Sequence, residues 1–158
     1  MRLQKATHFA LYAMLELASE PERQLSGADI ADKYGISTNH LAKVLRVLGR
    51  AGLVEAERGA RGGYRFVGNA KRITLLDVIE LFEDIRPISS GQRQPGDELP
   101  AGLALLRVLQ EIEGITHATF ASITLDTMLK LIRQTTRQAA DETTPSPGST
   151  AETPLVMH

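Results

Sequence analysis

Asn39, Lys43, Arg46 and Arg50 follow one another at spacings of four, three and four residues, which places them on one face of an α-helix. The chemistry these side chains share is recognition of nucleic acid. An Asn amide matches the donor and acceptor pair of adenine, a Lys ammonium meets the acceptors of guanine, and Arg neutralises phosphate. Thr38, Asn39, His40 and Lys43 lie at the start of the segment, where a recognition helix meets base edges. Asn39 and Lys43 are therefore expected at bases, and Arg46 and Arg50 at phosphates. Taken alone, the stripe equally describes a solvated helix face, and His40 an ordinary exposed residue.

A second constellation follows at once. GLVEAERGARGGYRF, from Gly52 to Phe66, has the composition of a two-stranded hairpin with a tight glycine and arginine tip. Gly59, Gly62 and Gly63 permit the turn and a close approach to a phosphate backbone, and Arg58 and Arg61 carry the charge. In a narrow minor groove, where negative potential is enhanced, Arg58 has a natural target. A simpler reading makes both arginines charges that keep the hairpin edge from pairing with another chain. With the helix before it, the hairpin reads as the wing of a winged helix-turn-helix. The expected DNA-contacting set is Ser37, Thr38, Asn39, His40, Lys43, Arg46, Arg50, Arg58, Arg61 and Tyr64.

No catalytic chemistry is legible beside this. The four histidines, His8, His40, His117 and His158, stand in no triad-like pattern, and no glycine-rich loop lies between a strand and a helix at phosphate-binding spacing. No enzyme is expected. The absence of cysteine excludes disulfides, thiolate metal sites and cysteine nucleophiles together.

These residues need elements to position them. From Ala6 to Ala18 the chain is apolar nearly all round, as in a helix buried on several sides. Ser26 with Asp29 opens a second helix that Gly35 stops. Ser37 caps a third, with Leu41, Val44, Leu45 and Leu48 on its buried face and Gly52 beyond its end. Short strands are expected at 53–57 and 64–67. Thr74 and Asp77 then open a fourth helix containing Val78, Ile79 and Phe82.

Residues 86–97 read as a loop. Beyond them Leu103, Leu105, Leu106, Leu109, Ile112 and Ile115 form a stripe too wide for one small head to cover, which calls for a helix from a second subunit; Leu103, Leu106, Leu109 and Ile112 are its expected dimer contacts. Gly114 is expected to kink or fray that helix, and Thr124 to cap a short last one. The fold class is thus mainly α with a small β-wing. Its expected divisions are a DNA-binding head over 1–85, the loop, a dimerisation half over 98–138 and a disordered tail over 139–158.

Charge supports the division. Residues 1–73 hold 12 Lys and Arg against 7 Asp and Glu, and residues 74–158 hold 6 against 12. The first half suits a polyanion and the second does not. No run reaches the roughly 20 apolar residues of a membrane span, and the N-terminus lacks the pattern of a secretory signal, so a cytoplasmic protein is expected.

The ordered set of MRLQKATHFALYAMLELA at the start, ISTNHLAKVLRVLGRAGLV from Ile36 to Val54 and RGARGGYRF from Arg58 to Phe66 resembles the Rrf-two family of bacterial transcription regulators, of the IscR, NsrR, RirA and CymR type. The match is close over residues 1–85 and looser through the second half. The resemblance implies a homodimeric repressor on a roughly palindromic DNA operator, with recognition helices about one DNA turn, ~34 Å, apart. It implies base reading at the positions of Asn39, His40 and Lys43, and an arginine probe of the minor groove at Arg58. Some relatives carry an acidic specificity residue just before the position of Lys43; here that residue is Ala42.

Many relatives also hold an iron-sulfur cluster on three cysteines in the region of 86–102, where this chain has none. Ser, Gly, Asp and amide side chains are poor substitutes for thiolates at iron, so no cysteine-ligated cluster and no cofactor is expected. His8 stands where some relatives lend an acidic cluster ligand, and is read as an ordinary surface or interface histidine before a metal ligand. A small-molecule effector, a metal sensed through a non-cysteine site, a protein effector and a constitutive repressor all remain open. The reading from a different function class is a winged-helix adaptor that binds protein and not DNA.

Overall fold

In the computed structural model, residues 2–59, 62–85 and 95–143 are described. Expectations for Arg61, for most of the loop at 86–94 and for residues 144–158 fall outside them. Helix α1 (Lys5–Ser19) runs through the centre of the head, with Ala10, Ala13, Met14 and Leu17 fully buried. Helix α2 (Gly27–Tyr34) starts where the Ser26 hydroxyl accepts from the Asp29 N–H. Helix α3 (Thr38–Arg50) starts in the same way, with the Ser37 hydroxyl accepting from the His40 N–H. Each cap satisfies a donor that the first helical turn leaves without a partner. Past α3, Gly52 takes φ 73°, a left-handed conformation in which a side chain would be strained.

Strands β1 (Val54–Glu57) and β2 (Gly63–Phe66) pair antiparallel in the register Val54 to Phe66 and Glu55 to Arg65; β1 starts one residue later than expected, and β2 is shifted one residue towards the N-terminus. Helix α4 (Leu75–Ile79) opens on a complete capping box between Thr74 and Asp77. It ends before Phe82, which lies in the following turn, its N–H bonded to the Ile79 carbonyl at 3.0 Å.

Helix α5 (Pro100–Ser122) passes through Gly114 without a break, so the helix does not fray there. One glycine's propensity cost of about 1 kcal/mol is small against 23 residues of continuous helix. Helix α6 (Leu125–Thr143) is long where a short helix was expected, and it continues through residues assigned to a tail. Its beginning is held in the head. The Leu75 N–H bonds the Ile123 carbonyl at 2.8 Å, the Leu125 N–H bonds Ile73 O at 2.9 Å, and Leu125 and Leu129 join the core of α1 and α3. Residues from both sides of position 85 thus share one core. Among the described residues no helix is long and apolar enough to cross a membrane.

Candidate nucleic-acid interface

Helix α3 has two faces with opposite fates. Leu41, Val44, Leu45 and Leu48 are at most 2% exposed, and this anchoring turns Ser37, Thr38, Asn39, His40, Lys43, Arg46 and Arg50 outward, all exposed. The spacing read from the sequence thus becomes one continuous polar surface. His40 is the restrained member. Its ring meets that of Phe9 on α1 edge-on, with centroids 5.7 Å apart and planes at 79°, so α1 sets where the imidazole points.

The cations of the head fall into two groups. Arg23 pairs with Glu20, Lys33 with Glu16, and Arg65 with Glu55 and Glu57. Among the described residues, Lys43, Arg46, Arg50 and Arg58 make no ion pair within the chain. Among the described residues Arg2, Lys5, Lys71 and Arg72 also make no ion pair, so the recognition face and the wing hold four of the head's free cations. Solvation of an exposed charge is inexpensive, but a cluster of unneutralised cations creates a field that attracts a polyanion.

Lys33 belongs to a separate network that braces α2 on α1. Its Nζ lies 2.6 Å from Glu16 Oε1, the Tyr34 hydroxyl donates to Glu16 Oε2 at 2.8 Å, and the Tyr34 and Tyr12 rings stack 4.9 Å apart. Burial opposes the charge on Glu16, yet the hydrogen bonds from Lys33 and Tyr34 outweigh it and hold the carboxyl below its usual range. Burial first, then the bond to Glu16, pushes the Tyr34 hydroxyl up to about 12.

The wing is anchored at its root and exposed at its tip. Val54 and Phe66 face the core, and Tyr64 lies half-buried against it. The Tyr64 backbone exchanges hydrogen bonds of 2.8 and 3.0 Å with Leu25, just before α2. This part of the hairpin is thus tied to the helix-turn-helix, and Tyr64 has a structural role that the sequence reading did not assign.

Gly63 serves the same contact. A Cβ there would stand 2.5 Å from the Leu25 carbonyl oxygen, so this glycine answers to the chain segment before α2 and not, as expected, to the tip. Gly59 is the residue with turn geometry, at φ 138°, beside exposed Arg58. Arg65 is the polar wing residue that sequence reasoning passed over. The signal was available in the alternation that sets Glu55 and Glu57 on its face.

On α5 the exposed apolar stripe is formed by Leu105, Val108, Leu109, Ile112 and Ile115, between 39% and 62% exposed. Of the expected dimer contacts, Leu109 and Ile112 lie on it and Leu106 is half-buried within its own chain. Leu103, nine residues before Ile112, is about half a turn away round the helix.

His8 does not gather other ligands. Its Nδ1 lies 3.1 Å from the Gln4 carbonyl, and no group of three or more His, Cys, Asp or Glu able to hold a metal occurs among the described residues. A cavity of about 450 Å³ lies at the end of α4, lined by Glu80, Phe82, Glu83, Asp84 and Ile85. Glu83 there accepts from the Gln4 N–H and from the hydroxyl of buried Thr7.

Comparison with known proteins agrees with this geometry. The family model described as Rrf2, an iron-dependent transcriptional regulator, matches residues 3–131. BadM of Rhodopseudomonas palustris, named as an HTH-type transcriptional regulator, is 54% identical over 132 residues, 84% of this chain and 83% of its own. The structure of CymR, the global cysteine regulator of B. subtilis, superposes with TM-score 0.63 at 26% identity, covering 83% of this chain and 98% of that one. IscR of T. potens superposes with TM-score 0.61 at 26% identity, covering 92% and 93%.

The iron in the family's description does not transfer through thiolates. This chain has no cysteine, and the donors in its described part are scattered. With its helix-turn-helix, its wing and these relatives, the chain belongs to the Rrf2 (Rrf-two) family of DNA-binding transcriptional regulators, and it is not an enzyme.

Proposed function

We propose that this protein is a homodimeric, sequence-specific repressor that occupies a roughly palindromic operator and works without a cysteine-ligated iron-sulfur cluster. The observation that carries the reading is the set of cations Lys43, Arg46, Arg50 and Arg58, on α3 and the wing, that make no ion pair among the described residues. Asn39, His40 and Lys43 read base edges at the start of α3, Arg46 and Arg50 hold phosphates, and Arg58 enters the minor groove. Two such heads joined through α5 place their recognition helices about one DNA turn, ~34 Å, apart. The stripe from Leu105 to Ile115 supports the dimer, because a monomer would leave five large apolar residues in water.

Selection from random duplex DNA, followed by binding of the recovered sequence, tests the assignment. Lys43→Ala should weaken operator binding about ten- to a hundred-fold while leaving thermal stability unchanged, since the side chain is exposed. Unchanged operator affinity would refute the recognition face. A protein-binding adaptor would select no sequence and show a flat salt response, whereas phosphate contacts make affinity fall steeply with salt.

A further inference from the structure

The outer face of the wing carries an ion triad that a simple phosphate grip does not need. Alternation along the hairpin puts Glu55, Glu57 and Arg65 on the side away from the core, with Glu55 directly opposite Arg65 in the register. Arg65 Nη2 donates to Glu55 Oε2 at 3.2 Å, and its Nε lies 3.2 Å from Glu57 Oε1. All three side chains remain open to solvent, Arg65 at 38%, Glu55 at 59% and Glu57 at 43%. Two carboxylates against one guanidinium leave the shaft of the wing negative, immediately beside the free cation of Arg58. Removing these glutamates would strengthen attraction to any nucleic acid, so their presence lowers affinity for the very polymer the head binds.

We propose that Glu55 and Glu57 are specificity-determining residues of the wing. They hold Arg65 away from phosphate and repel the DNA backbone from the shaft. The wing can then engage only by its tip, in the pose that α3 sets when seated on its operator. The sequence-independent part of the binding energy falls more than the sequence-dependent part, and the ratio between them rises. This rests on the DNA-binding face proposed above.

The test uses the full chain, its selected operator and a scrambled duplex of the same length, titrated from about 50 to about 200 mM salt. In the Glu55→Gln/Glu57→Gln variant, scrambled DNA should bind roughly ten-fold tighter, with a salt dependence steeper by about one counterion as Arg65 gains a phosphate. Operator affinity should rise less, so the specificity ratio falls. Adding Arg65→Gln should return the scrambled affinity most of the way to the parent's. An unchanged ratio, or scrambled binding that stays tight in the triple variant, would overturn the proposal.

So would a loss of affinity for both duplexes at unchanged thermal stability, because the triad would then be a brace for the wing. Should the double variant melt early, Glu57→Gln alone carries the test, since it keeps the Arg65 to Glu55 hydrogen bond; it should show the same direction at about two- to three-fold. Failure of the underlying reading looks different, with no operator selected by the parent and no effect of Lys43→Ala.

Discussion

Truncating Ile112 to Ala tests the dimer at its proposed centre. The change removes three carbons, worth about 0.8 kcal/mol each on full burial. Because 54% of Ile112 is exposed in the single chain, covering it with a partner changes the burial of about half its surface, so ~1.3 kcal/mol is lost per copy. In a two-fold interface each residue counts twice. The dimer is therefore weakened by ~2.5 kcal/mol, a roughly 60-fold rise in its dissociation constant.

Sedimentation equilibrium over a range of concentrations reads that constant directly. Leu103→Ala serves as the directional control, because Leu103 lies about half a turn round α5 from Ile112 and should move the constant less than about two-fold. A parent chain that is monomeric at micromolar concentration would refute the dimer. An Ile112→Ala effect no larger than that of Leu103→Ala would refute the assigned face.

Two further perturbations probe how the head holds the interface. Gly63→Ala places a methyl 2.5 Å from the Leu25 carbonyl oxygen, so the wing must part from the chain before α2; urea unfolding should show a loss of about 1–3 kcal/mol, and a neutral result would refute the close approach. The network of Glu16, Lys33 and Tyr34 makes stability depend on pH at both ends. The Glu16 carboxyl is depressed in the fold, so its contribution is present above its ordinary value of 4.5 and is lost as pH falls through the depressed one. Tyr34 is raised from 10.0 to about 12, so its contribution is complete below 10.0 and is lost as pH rises through about 12. Unfolding curves across pH should show Glu16→Gln less stable than the parent at neutral pH and converging with it in acid; a constant difference would refute the linkage.

Where information is local, the residues were enough to read it. The caps at Ser26, Ser37 and Thr74, the end of α3 at Gly52 and the outward stripe from Asn39 to Arg50 depend on neighbours within one or two helical turns, whose geometry follows from spacing alone. The same holds for the hairpin and for the missing thiolates. What depends on contacts distant in the chain was not legible.

Nothing near Gly63 announces that Leu25 lies against it, and nothing near Leu125 announces that α6 re-enters the core beside α1. The edge contact of His40 with Phe9 joins residues 31 positions apart. Sequence likewise assigned five cations to the wing and α3 by their type, Lys43, Arg46, Arg50, Arg58 and Arg61. Folding divides the cations of the described head into free and paired, because the charge that a side chain offers to DNA depends on which carboxylates the tertiary structure brings within reach.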